Sequence, residues 1–182
     1  MIENVSQIFL AELNRKLNSI YFAADLTLGN GGDSLRILDY CKKIIKLYAF
    51  DIQESAILNS KKRIGKNNKI QYFQTGHENI STIIDTPLDF ITMNLGYLPG
   101  GDKTITTRTK TTLMAIEQSL ALLNHEGLMI ITIYTGHDEG AKEKISILEK
   151  VKWIDQKIYT CRHQYFVNQK NQPPEVIIIE KR

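Results

Sequence analysis

The segment Asp25 to Ser34, DLTLGNGGDS, places an acidic residue and a glycine turn directly after a short apolar run. Glycines at 29, 31 and 32 allow the backbone to approach a ligand closely and to adopt positive φ. A helical pattern begins at Asp33 or Ser34, and its first turn would present unpaired N–H groups at the positive end of the helix. This combination is typical of a loop that binds a nucleotide cofactor.

A second acidic residue, Asp51, ends the apolar run Ile44 to Phe50, about twenty residues after the glycine loop. A carboxylate at this spacing can accept hydrogen bonds from both hydroxyl groups of a ribose. A third apolar run, Leu88 to Met93, ends in Asn94 and the turn LGYLPGG. Since the carboxyl ends of parallel strands meet at one edge of a sheet, we expect these polar strand ends to line one crevice.

The apolar periodicity predicts an α/β chain that begins with an amphipathic helix. Residues 2–17 have the three-and-four spacing of that helix. Strands are then predicted at 20–26, 46–51, 70–73, 88–94 and 127–134, and helices at 34–41, 53–64, 78–84, 106–123 and 139–150, with Thr106 or Thr107 capping the fourth of these helices. The last runs, 153–161 and 175–181, predict an antiparallel hairpin because only a polar loop separates them. The pattern therefore predicts a mostly parallel seven-stranded sheet with an antiparallel last strand and helices on both faces.

The composition favours one domain over residues 1–182, which is long enough to bury a sizeable core. Cys41 and Cys161 have no metal-like spacing, and the N-terminal segment lacks the pattern of a signal peptide. No apolar stretch approaches the ~20 residues of a membrane span. We therefore expect a cytoplasmic protein without a metal site or a membrane segment. The net charge of +3 permits a polyanionic partner but does not require one.

Six sequence strings together resemble the YtqB family of small S-adenosylmethionine-dependent methyltransferases: DLTLGNGGDS, FDIQ, TGHENI, NLGYLPGGDK, GHDEG and the tail NQKNQPPEVIIIEKR. The likeness covers nearly the whole chain, and NLGYLPGGDK is its most specific part. It implies a Rossmann-like class I methyltransferase fold and S-adenosylmethionine as cofactor. Since the family includes an enzyme that methylates 5-aminomethyl-2-thiouridine at the wobble position, it also implies a tRNA anticodon stem-loop as substrate.

The resemblance assigns cofactor roles to strand ends and to the glycine loop. The implied cofactor residues are Asp25, Thr27, Gly29, Asn30, Gly31, Asp33, Asp51, Gln53, Gly76, His77 and Asn94. Each polar member has a structural alternative. Asp25 could cap a turn, Asp33 could be a helix N-cap, and Gln53 could be an ordinary first-turn residue. His77 could be a structural hydrogen-bonding residue.

The turn after Asn94 is the expected place of the reaction. Amine-directed methyltransferases carry a similar turn, in which an amide oxygen and carbonyl groups accept the hydrogens of a neutral amine. Asn94 and Tyr97 are therefore the implied catalytic residues, with Leu98 and Pro99 beside the substrate. The alternative is a tight turn with a buried tyrosine. His137 and Asp102 are candidate bases by residue type, and the sequence assigns neither.

Basic and aromatic residues after this turn are candidates for contacts with RNA. They could meet phosphates and stack on bases, as single-stranded RNA loops require, or they could simply face water. The predicted RNA-binding residues are Lys103, Arg108, His137, Arg162 and Tyr165.

The sequence leaves alternative functions open. These are methylation of rRNA or of a small amine, and a noncatalytic module that binds the cofactor or RNA. An NAD-dependent oxidoreductase is disfavoured because GNGGDS lacks the third glycine of the dinucleotide fingerprint. The sequence also leaves open whether the chain forms a homodimer.

Overall fold

A computed structural model describes residues 4–136 and 138–182, and within them the strands form one mixed sheet of seven. The strands are β1 Phe22–Asp25, β2 Lys46–Asp51, β3 Ile70–Gln74, β4 Leu88–Leu95, β5 Leu123–Ile133, β6 Tyr159–Gln164 and β7 Glu175–Lys181. Their order across the sheet is β3-β2-β1-β4-β5-β7-β6. Neighbours from β3 to β5 are parallel, whereas β7 is antiparallel to both β5 and β6. The predicted parallel sheet and closing antiparallel hairpin are confirmed.

Helices cover both faces of the sheet, as the sequence predicts. They are α1 Val5–Lys16, α2 Gly32–Tyr40, α3 Glu54–Ile64, α4 Ile80–Ile83, α5 Thr109–Leu122 and α6 Asp138–Lys152, with a 3₁₀ turn at His77–Asn79 before α4. Two separate apolar cores result. One contains Phe9 of α1, Ile37 of α2 and Ile57 of α3. The other contains Ile80 of α4, Ile116 of α5 and Ile147 of α6.

The start of α5 differs from its prediction. Neither Thr106 nor Thr107 is the N-cap, which is Arg108. The hydroxyl of Thr107 is engaged elsewhere, because it accepts from Gly96 N–H and donates to Glu143 Oε2. The prediction of a threonine cap is therefore wrong, since a long-range contact has taken the hydroxyl that the cap would need.

The predicted strand from residue 153 begins six residues too early. Helix α6 continues to Lys152, and the indole of Trp153 is 73% exposed. Asp155 then closes a turn, because its side chain accepts from Lys157 N–H and its carbonyl accepts from Tyr159 N–H. This turn delays the start of β6 to Tyr159, although the apolar residues between 153 and 161 look like one strand.

The glycine loop between β1 and α2 packs tightly against α3. Gly31 is the N-cap of α2 with φ 73°, in the left-handed region that favours glycine. A Cβ at this position would lie 2.8 Å from Ser60 Oγ, well inside normal contact. Ser60 Oγ in turn donates to Gly29 O at 2.9 Å. Both the backbone conformation and the approach of α3 therefore require glycine at position 31.

We predict that Gly31→Ala destabilises the fold by more than backbone strain alone would. The left-handed conformation costs an L-residue about 1–2 kcal/mol, and the contact with Ser60 adds an overpacking cost of about 1–3 kcal/mol. Gly100→Ala is the matched control, because Gly100 also has positive φ but has no neighbour within 4 Å of an added Cβ. Urea unfolding should show the larger loss for Gly31→Ala. Equal losses would show that Ser60 does not limit this position.

Candidate functional site

The candidate site lies where the strand order reverses, between β1 and β4, at the carboxyl ends of the parallel strands. Two cavities open there. The first cavity, of about 410 Å³, is bordered by the ends of β2 and β3 and by the start of α5. The second cavity, of about 1050 Å³, is bordered by α1, by the start of α2 and by the end of β5. They share the wall formed by Thr27, Gly29, Asn94, Gly96, Tyr97 and Pro99.

Asp51 joins the end of β2 to the glycine loop at the first cavity. Its Oδ2 accepts from Gly29 N–H and its Oδ1 accepts from Gln53 N–H, both at 2.9 Å. Burial raises the pKa of the Asp51 carboxyl, and the hydrogen bonds from Gln53, Gly29 and Ile52 oppose this rise. A carboxylate accepts about four hydrogen bonds, so the backbone uses most of the capacity that was predicted for two ribose hydroxyls. The remaining capacity faces the first cavity.

Two buried polar atoms that line the first cavity have no protein partner among the described residues. They are His77 Nε2 and Thr106 Oγ1. The imidazole of His77 is only 7% exposed, and burial lowers its pKa, so the neutral ring is favoured. Both atoms are themselves closed off by the surrounding protein, so they belong to the wall of the cavity and are not open to its interior.

Asp25 ends β1 and is almost completely buried, with 1% of its surface exposed. It accepts hydrogen bonds from Ser34 Oγ at 2.7 Å and from Thr27 N–H at 3.3 Å. These contacts match its alternative role as a residue that caps the turn. Burial, aided by the nearby charge of Asp33, raises the pKa of Asp25 to about 7. Asp25 is also one of the residues that border the second cavity.

Asn94 is held at the junction of the two cavities by the segment that follows β1. Its backbone N–H donates to Thr27 Oγ1 at 2.6 Å. Its side-chain Nδ2 donates to Asp33 Oδ2 at 2.8 Å, while Arg36 binds the other oxygen of that carboxylate. Asp33 is therefore not the N-cap of α2, which is Gly31. Its bond to Asn94 directs the amide nitrogen to α2 and leaves Oδ1 available as an acceptor.

The turn after Asn94 is hydrogen-bonded to the segment at Thr107 and to the glycine loop. Gly96 and Thr107 exchange hydrogen bonds, since Gly96 N–H donates to Thr107 Oγ1 at 2.9 Å and Thr107 N–H donates to Gly96 O at 3.1 Å. The same Thr107 hydroxyl donates to the buried Glu143 of α6. Asn30 Nδ2 donates to Pro99 O at 3.2 Å, which ties the turn to the glycine loop. The position of Tyr97 is thus set by several parts of the chain.

The structure divides most of the remaining predicted residues between the two cavities. The structure brings Gln53, Gly76 and Leu98 to the first cavity, and Asn30 to the second. Lys103 lines the second cavity with its Nζ 5.6 Å from the centre of the Tyr97 ring, whereas Arg108 lines the first cavity and not the second.

Two predicted RNA-binding residues lie away from both cavities. Arg162 of β6 forms an ion pair with Glu12 of α1 at 2.7 Å. Tyr165 contacts His163, with the ring centres 5.1 Å apart. Their contact with RNA stays a prediction without support from the cavity geometry. His137 lies outside the described residues.

The sequence did not predict several residues that line the second cavity. Arg36 of α2, Arg63 of α3 and Tyr134 after β5 all line it. In the sequence, the two arginines look like ordinary charged residues on the solvent-exposed face of a helix. Only the packing of α2 on α3 brings them together. The exposed fraction of Tyr134 is 41%, and its position directly after a buried strand was the one available signal.

Among residues 4–136 and 138–182, no three His, Cys, Asp or Glu side chains are grouped so that they could hold a metal ion. Within the same part of the chain, the helices are too short or too polar to cross a membrane.

Known proteins resemble this chain in both sequence and fold. Residues 47–180 match the family model described as "Putative rRNA methylase". The chain belongs to this rRNA methylase family. The crystal structure of a "putative rRNA-methylase" from Clostridium thermocellum superposes with a TM-score of 0.94 at 33% identity, covering 100% of both chains. The predicted family and the Rossmann-like class I methyltransferase fold are confirmed.

Two further relatives are described with a bound ligand or with a substrate. A "putative methyltransferase" from Streptococcus mutans, solved in complex with S-adenosylhomocysteine, has a TM-score of 0.90 and 33% identity over 100% of both chains. The chloroplastic tRNA (mnm(5)s(2)U34)-methyltransferase of Arabidopsis thaliana is 32% identical over 141 residues. That match covers 69% of this chain, and the chain spans about half the length of the Arabidopsis protein.

We predict that the stability of Asp25→Asn relative to wild type increases as the pH rises. The pKa of Asp25 is raised from 3.8 to about 7 in the folded state, so its contribution to stability is complete below about pH 4 and is lost as the pH rises through 7. Asparagine at this position does not ionise and can still accept from Thr27 N–H. The free energy of unfolding of the variant, relative to wild type, should therefore increase from pH 5 to pH 8.5.

Urea unfolding at these two pH values tests this expectation. Asp39→Asn is the control, since Asp39 also lies on α2 but is exposed. A difference between wild type and Asp25→Asn that is the same at both pH values would contradict the raised pKa.

Proposed function

We propose that the protein is an S-adenosylmethionine-dependent N-methyltransferase that methylates the 5-aminomethyl group of uridine or 2-thiouridine at the tRNA wobble position, giving the 5-methylaminomethyl form. The observation that carries this proposal is the Asn94 amide, which is fixed by Asp33 at the junction of the two cavities. One cavity suits a nucleoside cofactor, and the other is large enough for a nucleotide of the substrate. Membership of the rRNA methylase family supports the reaction class.

The first cavity supplies the groups that hold the cofactor. Asp51 retains acceptor capacity for a ribose hydroxyl, and the neutral ring of His77 lies in the cavity wall, where the adenine would pack. The Gly29 backbone reaches the shared wall between the cavities. When bound, S-adenosylmethionine supplies an electrophilic methyl group on a positively charged sulfur.

Asn94 is placed to orient the amine that attacks this methyl group. Because its Nδ2 is bound to Asp33, its Oδ1 can accept a hydrogen from the amine. Carbonyl groups of the turn from Gly96 to Pro99 are further acceptors. An amine whose hydrogens are held in this way keeps its lone pair free and aligned, and such alignment is a large source of rate acceleration. Tyr97 is 39% exposed and can stack on the base.

The structure argues against Asp102 as the base that deprotonates the amine. Its Oδ1 accepts from both Thr104 N–H and Thr104 Oγ1, and these bonds lower the pKa of the carboxyl. A base should have a pKa near the working pH, so Asp102 is poorly suited to this role. The amine would pass its proton to water before it attacks, and transfer of the methyl group would leave S-adenosylhomocysteine as the second product. Positioning of the neutral amine by Asn94 supplies the proposed rate acceleration.

The name of the Arabidopsis relative, tRNA (mnm(5)s(2)U34)-methyltransferase, supports the tRNA wobble base as substrate, while the description of the family favours rRNA as the second candidate. The size of the second cavity and the cations along it favour a nucleic acid over a small amine. The cytoplasmic location, the single domain and a possible homodimer stay predictions.

Mass spectrometry of nucleosides decides between these substrates. Purified protein is incubated with S-adenosylmethionine and either rRNA or tRNA carrying 5-aminomethyl-2-thiouridine. We expect the tRNA nucleoside to gain one methyl group and the rRNA to stay unchanged. Methylation confined to rRNA would reject the tRNA proposal, and no transfer to either RNA or to a free amine would favour the noncatalytic module.

A double-mutant cycle tests the link between Asp33 and Asn94. We predict that Asn94→Ala lowers kcat by about 100-fold, since loss of alignment has effects of this order. Asp33→Ala should lower kcat by about tenfold because the Asn94 amide is no longer fixed. The double variant should be little worse than Asn94→Ala alone.

Asp33→Asn is the conservative control, because it retains an oxygen that can accept from Asn94 Nδ2 and should recover much of the lost rate. Single-turnover measurements with saturating cofactor separate this effect from binding. Additive losses in the double variant would mean that Asp33 acts independently of Asn94.

A further inference from the structure

Two arginines from different helices face each other across the start of α2. Arg36 belongs to α2 and Arg63 to the last turn of α3. Their Nη1 atoms lie 3.8 and 3.9 Å from the position that a Cβ on Gly32 would occupy. Both side chains also line the second cavity. The fold therefore brings two guanidinium groups to one place on the substrate side of the site.

The positive charge of this pair is only partly balanced. Arg36 Nη1 donates to Asp33 Oδ1 at 2.8 Å, but Arg63 has no carboxylate partner among the described residues. The bond that Arg63 makes is a long one, 3.4 Å from its Nη1 to Asn30 O. Each guanidinium carries five N–H donors, so most of these donors are available. Two adjacent cations with spare donors favour an anion between them, and a phosphate matches their geometry.

The pair lies close to the turn after Asn94, where the amine is proposed to bind. Arg36 holds Asp33, which binds Asn94, so the pair is separated from the proposed amine position by one carboxylate. Lys103 lines the same cavity and lies over the ring of Tyr97. A wall that combines cations with an aromatic ring is typical of proteins that bind single-stranded RNA.

We propose that Arg36 and Arg63 form a phosphate-binding subsite for the RNA backbone next to the methylated nucleotide. This inference rests on the proposed function, in that it takes RNA as the substrate. Arg63 is the sharper probe of the pair, because Arg36 also supports Asp33. The guanidinium of Arg63 would bind a phosphate oxygen and hold the nucleotide while the base enters the second cavity.

The test is direct binding of a hairpin RNA with the sequence of a tRNA anticodon stem-loop, measured by fluorescence anisotropy with S-adenosylhomocysteine present. Arg63→Gln should raise the Kd at least about fivefold, as expected for the loss of a charge-assisted contact. The slope of log Kd against log salt should also become shallower by about 0.7 to 0.9, the value for one phosphate contact. Lys62→Gln is the matched control, because it removes an exposed charge on the same helix outside both cavities.

A methylphosphonate at a linkage beside the wobble uridine removes one phosphate charge and provides an independent check. It should weaken binding by wild type but add little to the loss already caused by Arg63→Gln. Equal effects of Arg63→Gln and Lys62→Gln, with an unchanged salt slope, would overturn the subsite. Failure of wild type to bind the hairpin would overturn it as well. If Arg63→Gln weakens hairpin binding as expected but the wild type methylates no tRNA, the proposed function is rejected and the subsite is kept.

Discussion

The site depends on the attachment of the glycine loop to the strands on either side of β1. On one side the loop is bound by Asp51 at the end of β2, through Gly29 N–H. On the other side Thr27 and Asp33 bind the backbone and the side chain of Asn94 at the end of β4. Backbone bonds from Leu26 N–H to Thr92 O and from Leu28 N–H to Phe50 O continue the strand pairing just beyond β1, and these side chains extend the connection to the strand ends. These bonds make the wall shared by the two cavities one connected unit.

Acidic side chains perform most of this attachment, and their burial has an energetic cost. Removing a carboxylate from water is unfavourable unless hydrogen bonds replace the lost hydration. Asp51 is compensated by backbone N–H groups and Asp33 by Arg36 and Asn94. Burial and the nearby charge of Asp33 raise the pKa of Asp25 to about 7, although hydrogen bonds from Ser34 and Thr27 oppose the rise. The positive charge of S-adenosylmethionine would gain from this negative charge.

The sequence predicted those features that depend on local patterns. The strand ends at Asp51 and Asn94 were identifiable because each apolar run stops at a polar residue, and β2 and β7 have the predicted bounds. Features that depend on packing between distant segments could not be predicted from the sequence. Asp33 is the second residue of α2 and has the residue type of a helix cap, and only the structure shows its bond to Asn94. Arg162 looked like an RNA contact, but its ion pair with Glu12 required knowing that α1 lies beside the edge strand.

The buried carboxylate of Glu143 has a consequence for how sequences of this family can diverge. It accepts from the hydroxyls of Thr107 and Thr112, so three positions on two helices and a turn share one polar cluster. Replacing either threonine with valine would withdraw a donor from a buried carboxyl group, at a cost of about 1–3 kcal/mol. Positions 107, 112 and 143 should therefore covary, with the hydroxyls kept wherever residue 143 is acidic. Concerted replacement of all three would mark lineages in which the reaction turn is anchored by packing in place of polar contacts.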